Sequence, residues 1–157
     1  MRVWLVAAAL MLTLANAGAA PPEYELTWTV FARQSGWREH AARPVEAGER
    51  SGRAVARLVR VSPSVLRLEW QGPDGAGRGL IGPAGPTDFK FPSPLPIAGP
   101  PAMPHLSGGD FEFSGDPGQP DSFRVSYVEG FICRSTPAVC GGVAMWERRF
   151  EGRGRRR

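Results

Sequence analysis

The chain is poor in the residues that build metal and catalytic centres, with two cysteines, two histidines and one lysine among its 157 residues. Two cysteines are too few for a four-cysteine zinc site. The single asparagine, Asn16, lies near the start of the chain, so no Asn-x-Ser/Thr glycan acceptor follows it. After residue 20, no hydrophobic run reaches the roughly 20 residues that a membrane-spanning helix needs. These absences argue against a zinc protein and against a membrane-embedded one.

The first twenty residues have the three parts of a cleavable export signal. Arg2 supplies the positive start, residues 3–14 form an apolar stretch, and residues 15–20 are mostly alanine and glycine. The apolar stretch is shorter than a spanning helix. We therefore expect residues 1–20 to be removed on export. The mature protein would lie in a periplasm or outside the cell, with no transmembrane segment.

The basic charge is concentrated at the C-terminal end. The formal net charge is +4 and the sequence pI is about 9.8. Residues 21–152 hold fourteen basic and fifteen acidic side chains, a balance of −1, and residues 153–157 add four arginines. A near-neutral body lacks the basic surface that nucleic-acid binding needs. We expect no nucleic-acid partner, and we interpret residues 152–157 as a solvated basic tail.

The two cysteines, Cys133 and Cys140, form an even pair in a chain with a predicted export signal, which favours a structural disulfide. Redox-active pairs more often have two residues between the cysteines, and here there are six. Closing so short a loop stabilises the fold by about 2.5 kcal/mol on the chain-entropy model. Each cysteine adjoins a strand-like run, so we expect the bond to brace the mouth of a hairpin.

Alternation of apolar and polar residues predicts β-strands. Residues 23–32 place tyrosine, leucine, tryptophan and valine on one face and glutamate and threonine on the other. Two more runs, 54–61 and 65–70, predict a hairpin around a Ser-Pro-Ser turn. The polar segment between the first two runs, residues 33–52, is predicted to be a long connection. Further strands are predicted at 122–132 and 142–151.

Residues 72–121 contain eleven glycines and eleven prolines, which excludes long helices and predicts only short strands there. The short strands and frequent turns indicate an all-β fold. We expect a small antiparallel β-sandwich, immunoglobulin-like or related, with a partly open β-barrel as the alternative. The expected organisation is a signal peptide (1–20), a single β-rich domain with a Pro/Gly-rich middle (21–151) and a basic tail (152–157).

Patterns typical of enzymes are missing from the sequence. His105, Ser107 and Asp110 are of triad type, but no activated-serine motif surrounds them and they lie close together in the chain. No glycine-rich phosphate loop precedes a predicted helix. The sequence therefore favours a non-catalytic protein without a cofactor. The alternative is a copper-handling or hydrolytic protein centred on His105, with Met103 as a second metal ligand.

Trp37 is the aromatic residue that does not fall on a predicted apolar strand face. It precedes Arg38 and begins an arginine-rich segment that includes Arg57 and Arg60. Exposed tryptophan and arginine are frequent anchors of protein interfaces. We therefore predict a binding surface at these four residues. The predicted function is that of an exported binding or scaffolding domain which recognises a protein or a glycan in the cell envelope or outside the cell.

Overall fold

The structure is a computed structural model, and it describes residues 20–38, 41–42, 46–97 and 106–157. The predicted signal therefore lies outside the described residues, except for Ala20. Within the described residues, all regular secondary structure is β-strand: β1 (Glu23–Arg38), β2 (Ala41–Ala42), β3 (Glu46–Ser62), β4 (Val65–Gly72), β5 (Gly75–Gly82), β6 (Gly85–Lys90), β7 (Leu106–Asp116), β8 (Gln119–Ile132) and β9 (Val143–Arg156).

Eight of these strands form one antiparallel sheet in the order β6-β5-β4-β3-β1-β9-β8-β7, and the short β2 pairs with the end of β1. The sheet curls until its two edge strands, β6 and β7, contact each other. Gly85 of β6 lies so near the carbonyl oxygen of Gly109 in β7 that a Cβ atom would overlap it. The all-β prediction is confirmed. The nearly closed single sheet corresponds most directly to the partly open barrel.

The predicted strand alternation is confirmed in β1, where Tyr24, Leu26, Trp28 and Val30 are all buried. Their side chains point to the interior of the curled sheet, because alternate residues of a strand face opposite sides. The predicted hairpin is also confirmed: β3 pairs with β4 around a turn at residues 63–64. The inner surface forms one continuous hydrophobic core.

Aromatic rings in the core lie over glycines of neighbouring strands. A Cβ atom added to the glycine would overlap the ring in each of four pairs: Trp28 with Gly52, Trp70 with Gly77, Phe89 with Gly79, and Phe123 with Gly154. The missing side chain leaves room for a large ring inside a small curled sheet. A flat ring also covers backbone that glycine would otherwise leave bare. These four glycines are thus part of the core packing and not turn residues.

The interpretation of residues 152–157 as a solvated tail needs correction. Strand β9 continues to Arg156 and pairs with β1 on one side and β8 on the other. Residues 152–155, Gly-Arg-Gly-Arg, resemble a turn in sequence but form a strand. Gly152 and Gly154 face the interior, while the two arginines face solvent. A search for apolar residues misses this alternation because the inward positions are glycine.

The predicted connection at residues 33–52 also differs from the structure. Strand β1 extends to Arg38 and β3 begins at Glu46, so most of this segment is strand. In residues 33–36 and 46–52, the backbone pairs with neighbouring strands instead of forming a loop. Strand formation here follows from tertiary pairing and not from local hydrophobicity.

Candidate functional site

The interior of the sheet is filled by aromatic side chains. The ring of Phe89 packs against Tyr127, Phe150 and Trp70, with centroid distances of 4.7, 4.8 and 5.5 Å. These are the ordinary separations of packed aromatic pairs. Burial raises the pKa of Tyr127, as expected for a phenol removed from water. These rings belong to the continuous core inside the curled sheet.

A charged pair lies on the inner surface where β8 and β9 extend beyond the shorter strands. The carboxylate of Glu129 is almost fully buried and accepts a hydrogen bond from the guanidinium of Arg148. The Tyr127 hydroxyl lies 3.5 Å from the other carboxylate oxygen. Arg148 also stacks over the ring of Phe91, 4.5 Å from its centroid. The two charges balance each other, so the pair needs no ligand to neutralise it.

The disulfide hairpin, residues 133–142, connects β8 to β9 at that end of the sheet. The sulfur atoms of Cys133 and Cys140 are at bonding distance and their Cα atoms are 6.0 Å apart, as predicted from the sequence. The Cys133 amide donates to the carbonyl of Ala144 at 2.8 Å. The Trp37 amide donates to the carbonyl of Gly142 at 3.0 Å, which fastens the end of β1 to the hairpin. The hairpin is thus held by a covalent bond and by main-chain hydrogen bonds.

Apolar side chains are exposed on and beside this hairpin. Ile132 is 68% exposed and Val139 is 65% exposed, more than the other large hydrophobic residues described. Met145 is opposite Ile132 across the strands, and both residues line a groove on the surface beside the hairpin. Arg33 and Glu147 border the groove and form an ion pair of 2.9 Å. We call these five residues the hairpin face.

The four predicted binding residues do not come together. Trp37 lies half-buried next to the disulfide hairpin, and the Arg38 side chain is outside the described part of the structure. Arg57 pairs with Glu23, at the other end of β1. At about 3.3 Å per residue, the stretch of β1 between Glu23 and Trp37 is about 45 Å long. One compact surface therefore cannot contain Trp37 and Arg57.

The two arginines at the far end have partners of their own. Arg57 donates two hydrogen bonds to the carboxylate of Glu23, at 3.2 and 2.5 Å, and this contact lowers the pKa of Glu23. Arg60 donates to the carbonyl of Pro63 at 2.8 Å. Both interactions lie on the surface, where such pairs contribute little to stability.

The predicted metal ligands Met103 and His105 lie outside the described residues. Among residues 20–38, 46–97 and 106–157, no group of three or more His, Cys, Asp or Glu side chains is placed to hold a metal ion. The same part of the chain contains no helix that is long and apolar enough to cross a membrane.

Sequence reasoning missed most of the hairpin face. Ile132 was included in a predicted strand, but its exposure depends on which side of the sheet it faces at the hairpin end. The signal that marked this region was the cysteine pair, because Ile132 precedes Cys133 and Val139 precedes Cys140.

The fold defines the class of this protein: a small, all-β protein with one curled, nearly closed antiparallel sheet and an aromatic core. No protein-family model matches the chain, and no curated protein or solved structure is significantly similar to it. Its function must therefore be inferred from its own residues.

Proposed function

We propose that this protein is an exported, non-catalytic binding module that docks a partner protein through the hairpin face. The observation that carries the proposal is the exposure of Ile132, at the end of β8, and of Val139, in the loop that the disulfide braces. Two large apolar side chains exposed to water beside the hairpin are stabilised when a partner covers them.

The hairpin face has the features of a small protein interface. Methionine, aromatic and arginine side chains are enriched in such surfaces, and a polar rim commonly surrounds an apolar centre. Here Ile132 and Met145 are apolar, while Arg33 and Glu147 supply paired charges at the border. The disulfide and the hydrogen bond from Trp37 hold the loop in place before binding, which reduces the entropy lost on association.

The disulfide also supports the proposed location. A cysteine pair at bonding distance is compatible with an oxidising compartment, where disulfides persist. Together with the predicted signal at residues 1–20, it supports export to a periplasm or to the outside of the cell. The partner would be met in that compartment.

Site-specific photo-crosslinking tests the proposal. A photoreactive amino acid is placed at Ile132 or at Val139 in the protein expressed in its native cells. The control position is Val61, which is 52% exposed and lies at the opposite end of the sheet. We expect the same protein to be crosslinked from both hairpin positions and not from Val61. Equal crosslinking from all three positions, or none from the hairpin, would contradict the proposal.

A further inference from the structure

Three arginines and one threonine lie in a row across four neighbouring strands on the outer surface. Arg53 of β3 is opposite Thr27 of β1, and Thr27 is opposite Arg153 of β9. Arg153 is in turn opposite Arg124 of β8. We call these four residues the arginine row. Neighbouring strands lie about 4.8 Å apart, so three guanidinium-bearing residues fall within a span of about 15 Å.

Within the described part of the protein, the arginine row has carboxylates nearby but no direct partner; Glu112 of β7 is opposite Arg124. Among those residues, none of its three guanidinium groups forms an ion pair or a hydrogen bond. Arg124 and Arg153 are directly opposed across the strands, an arrangement in which like charges destabilise a sheet. An anion from outside that bridges Arg124 and Arg153 would relieve this repulsion.

The surroundings of the arginine row restrict the kind of anion. The row lines an open groove of about 840 Å³, within the usual size range of ligand sites. Hydroxyl groups line the groove, including those of Thr29 and Ser51, which lie 2.9 Å apart. Four carboxylates also line it, those of Asp74, Asp110, Glu112 and Glu151. A suitable ligand therefore carries separated negative charges and many hydroxyl groups.

We infer that the arginine row binds an acidic polysaccharide. Its carboxylate or sulfate groups pair with Arg124 and Arg153, since guanidinium groups form strong bidentate bonds to such anions. Its hydroxyl groups donate to Asp110 and Glu151. A nucleic acid fits less well, because the carboxylates repel its continuous phosphates and the one tryptophan of the groove, Trp28, is only 2% exposed and cannot stack on bases. This inference does not depend on the hairpin face.

Calorimetric titration of the mature protein with defined polymers tests the inference. The probes are oligogalacturonate, which carries carboxylates, and a heparin oligosaccharide, which carries sulfates. Dextran is the neutral control and single-stranded DNA is the phosphate control. The test variant is Arg124→Gln/Arg153→Gln. The matched control, Arg67→Gln/Arg78→Gln, removes the same charge from β4 and β5, outside the groove.

We expect at least one acidic oligosaccharide to bind the wild-type protein and the control variant, and dextran not to bind. The test variant should bind about tenfold more weakly or worse, since it loses two charge-assisted contacts. Its thermal midpoint should equal or exceed that of the wild type, because the opposed charges are gone. The arms with oligogalacturonate and heparin identify the preferred anionic group. Equal losses in both variants, no binding of either acidic probe, or preferential binding of DNA would overturn the inference.

Discussion

Replacing Gly154 by alanine should destabilise this protein, although alanine is normally the better residue within a strand. The usual gain is about 0.5–1 kcal/mol, because glycine loses more backbone freedom on folding. At this position, however, the new methyl group would overlap the ring of Phe123, which is packed in the core and only 2% exposed. Overpacking of a core generally costs about 1–3 kcal/mol. We expect the steric effect to win, with a net loss of about 1–2 kcal/mol.

Gly108 provides the matched control for this substitution. It lies in the edge strand β7, and no atom comes within 4 Å of the position that a Cβ would occupy. Gly108→Ala should therefore leave stability unchanged or raise it by up to about 1 kcal/mol. Urea unfolding of the oxidised proteins, followed by tryptophan fluorescence, measures both changes. If Gly154→Ala were as stable as Gly108→Ala, the packing of rings on glycines would not be what holds this core together.

Three further perturbations follow from the core and the hairpin. Arg148→Met should destabilise the fold by about 3 kcal/mol, because it removes the guanidinium that pairs with the buried carboxylate of Glu129. Adding Glu129→Gln should restore much of this loss. Chemical unfolding of the single and double variants measures both effects, and no recovery in the double variant would refute the explanation. Both tyrosines of the chain are buried and have a raised pKa, so stability should fall as the pH rises above about 10, where the unfolded state loses the phenol protons more readily than the native state. Absorbance should show phenolate forming at higher pH in the native protein than in urea. Titration at the same pH in both states would contradict this. Replacing Cys133 and Cys140 by serine should cost about 2.5 kcal/mol, with the strands retained by circular dichroism; unchanged stability would show that the bond is not a brace.

Strands whose inward residues are apolar could be predicted from the sequence. In β1 the alternation of large apolar and polar residues leaves one side that must be buried, so the strand and its inner face follow directly. The hairpin of β3 and β4 follows similarly from two such patterns around a proline turn. The cysteine pair was equally predictable, because few alternatives exist for two cysteines in a chain with a predicted export signal.

Strands whose inward residues are glycine could not be predicted in this way. In β5 and at the end of β9, glycines alternate with other residues, and local rules interpret them as turns or tails. What determines these strands is a ring from a neighbouring strand, such as Trp70 over Gly77 or Phe123 over Gly154. That information lies in residues distant in sequence.

The same limitation applied to the candidate sites. Arg53, Arg124 and Arg153 are far apart in the chain and meet only through the pairing of four strands. Trp37 and Arg57, by contrast, are close in sequence but lie toward opposite ends of the sheet. Once strands are long, strand register determines which residues are neighbours, and sequence proximity does not.

The most direct test of the proposed function is the affinity of the partner identified by crosslinking for a variant of the hairpin tip. Full burial of an exposed isoleucine or valine contributes about 1–2 kcal/mol, so Ile132→Ser/Val139→Ser should weaken binding by about 100-fold. Both side chains are exposed, and the fold should remain intact. Val61→Ser should bind as tightly as the wild type. An affinity unchanged by the double substitution would contradict docking at the hairpin face.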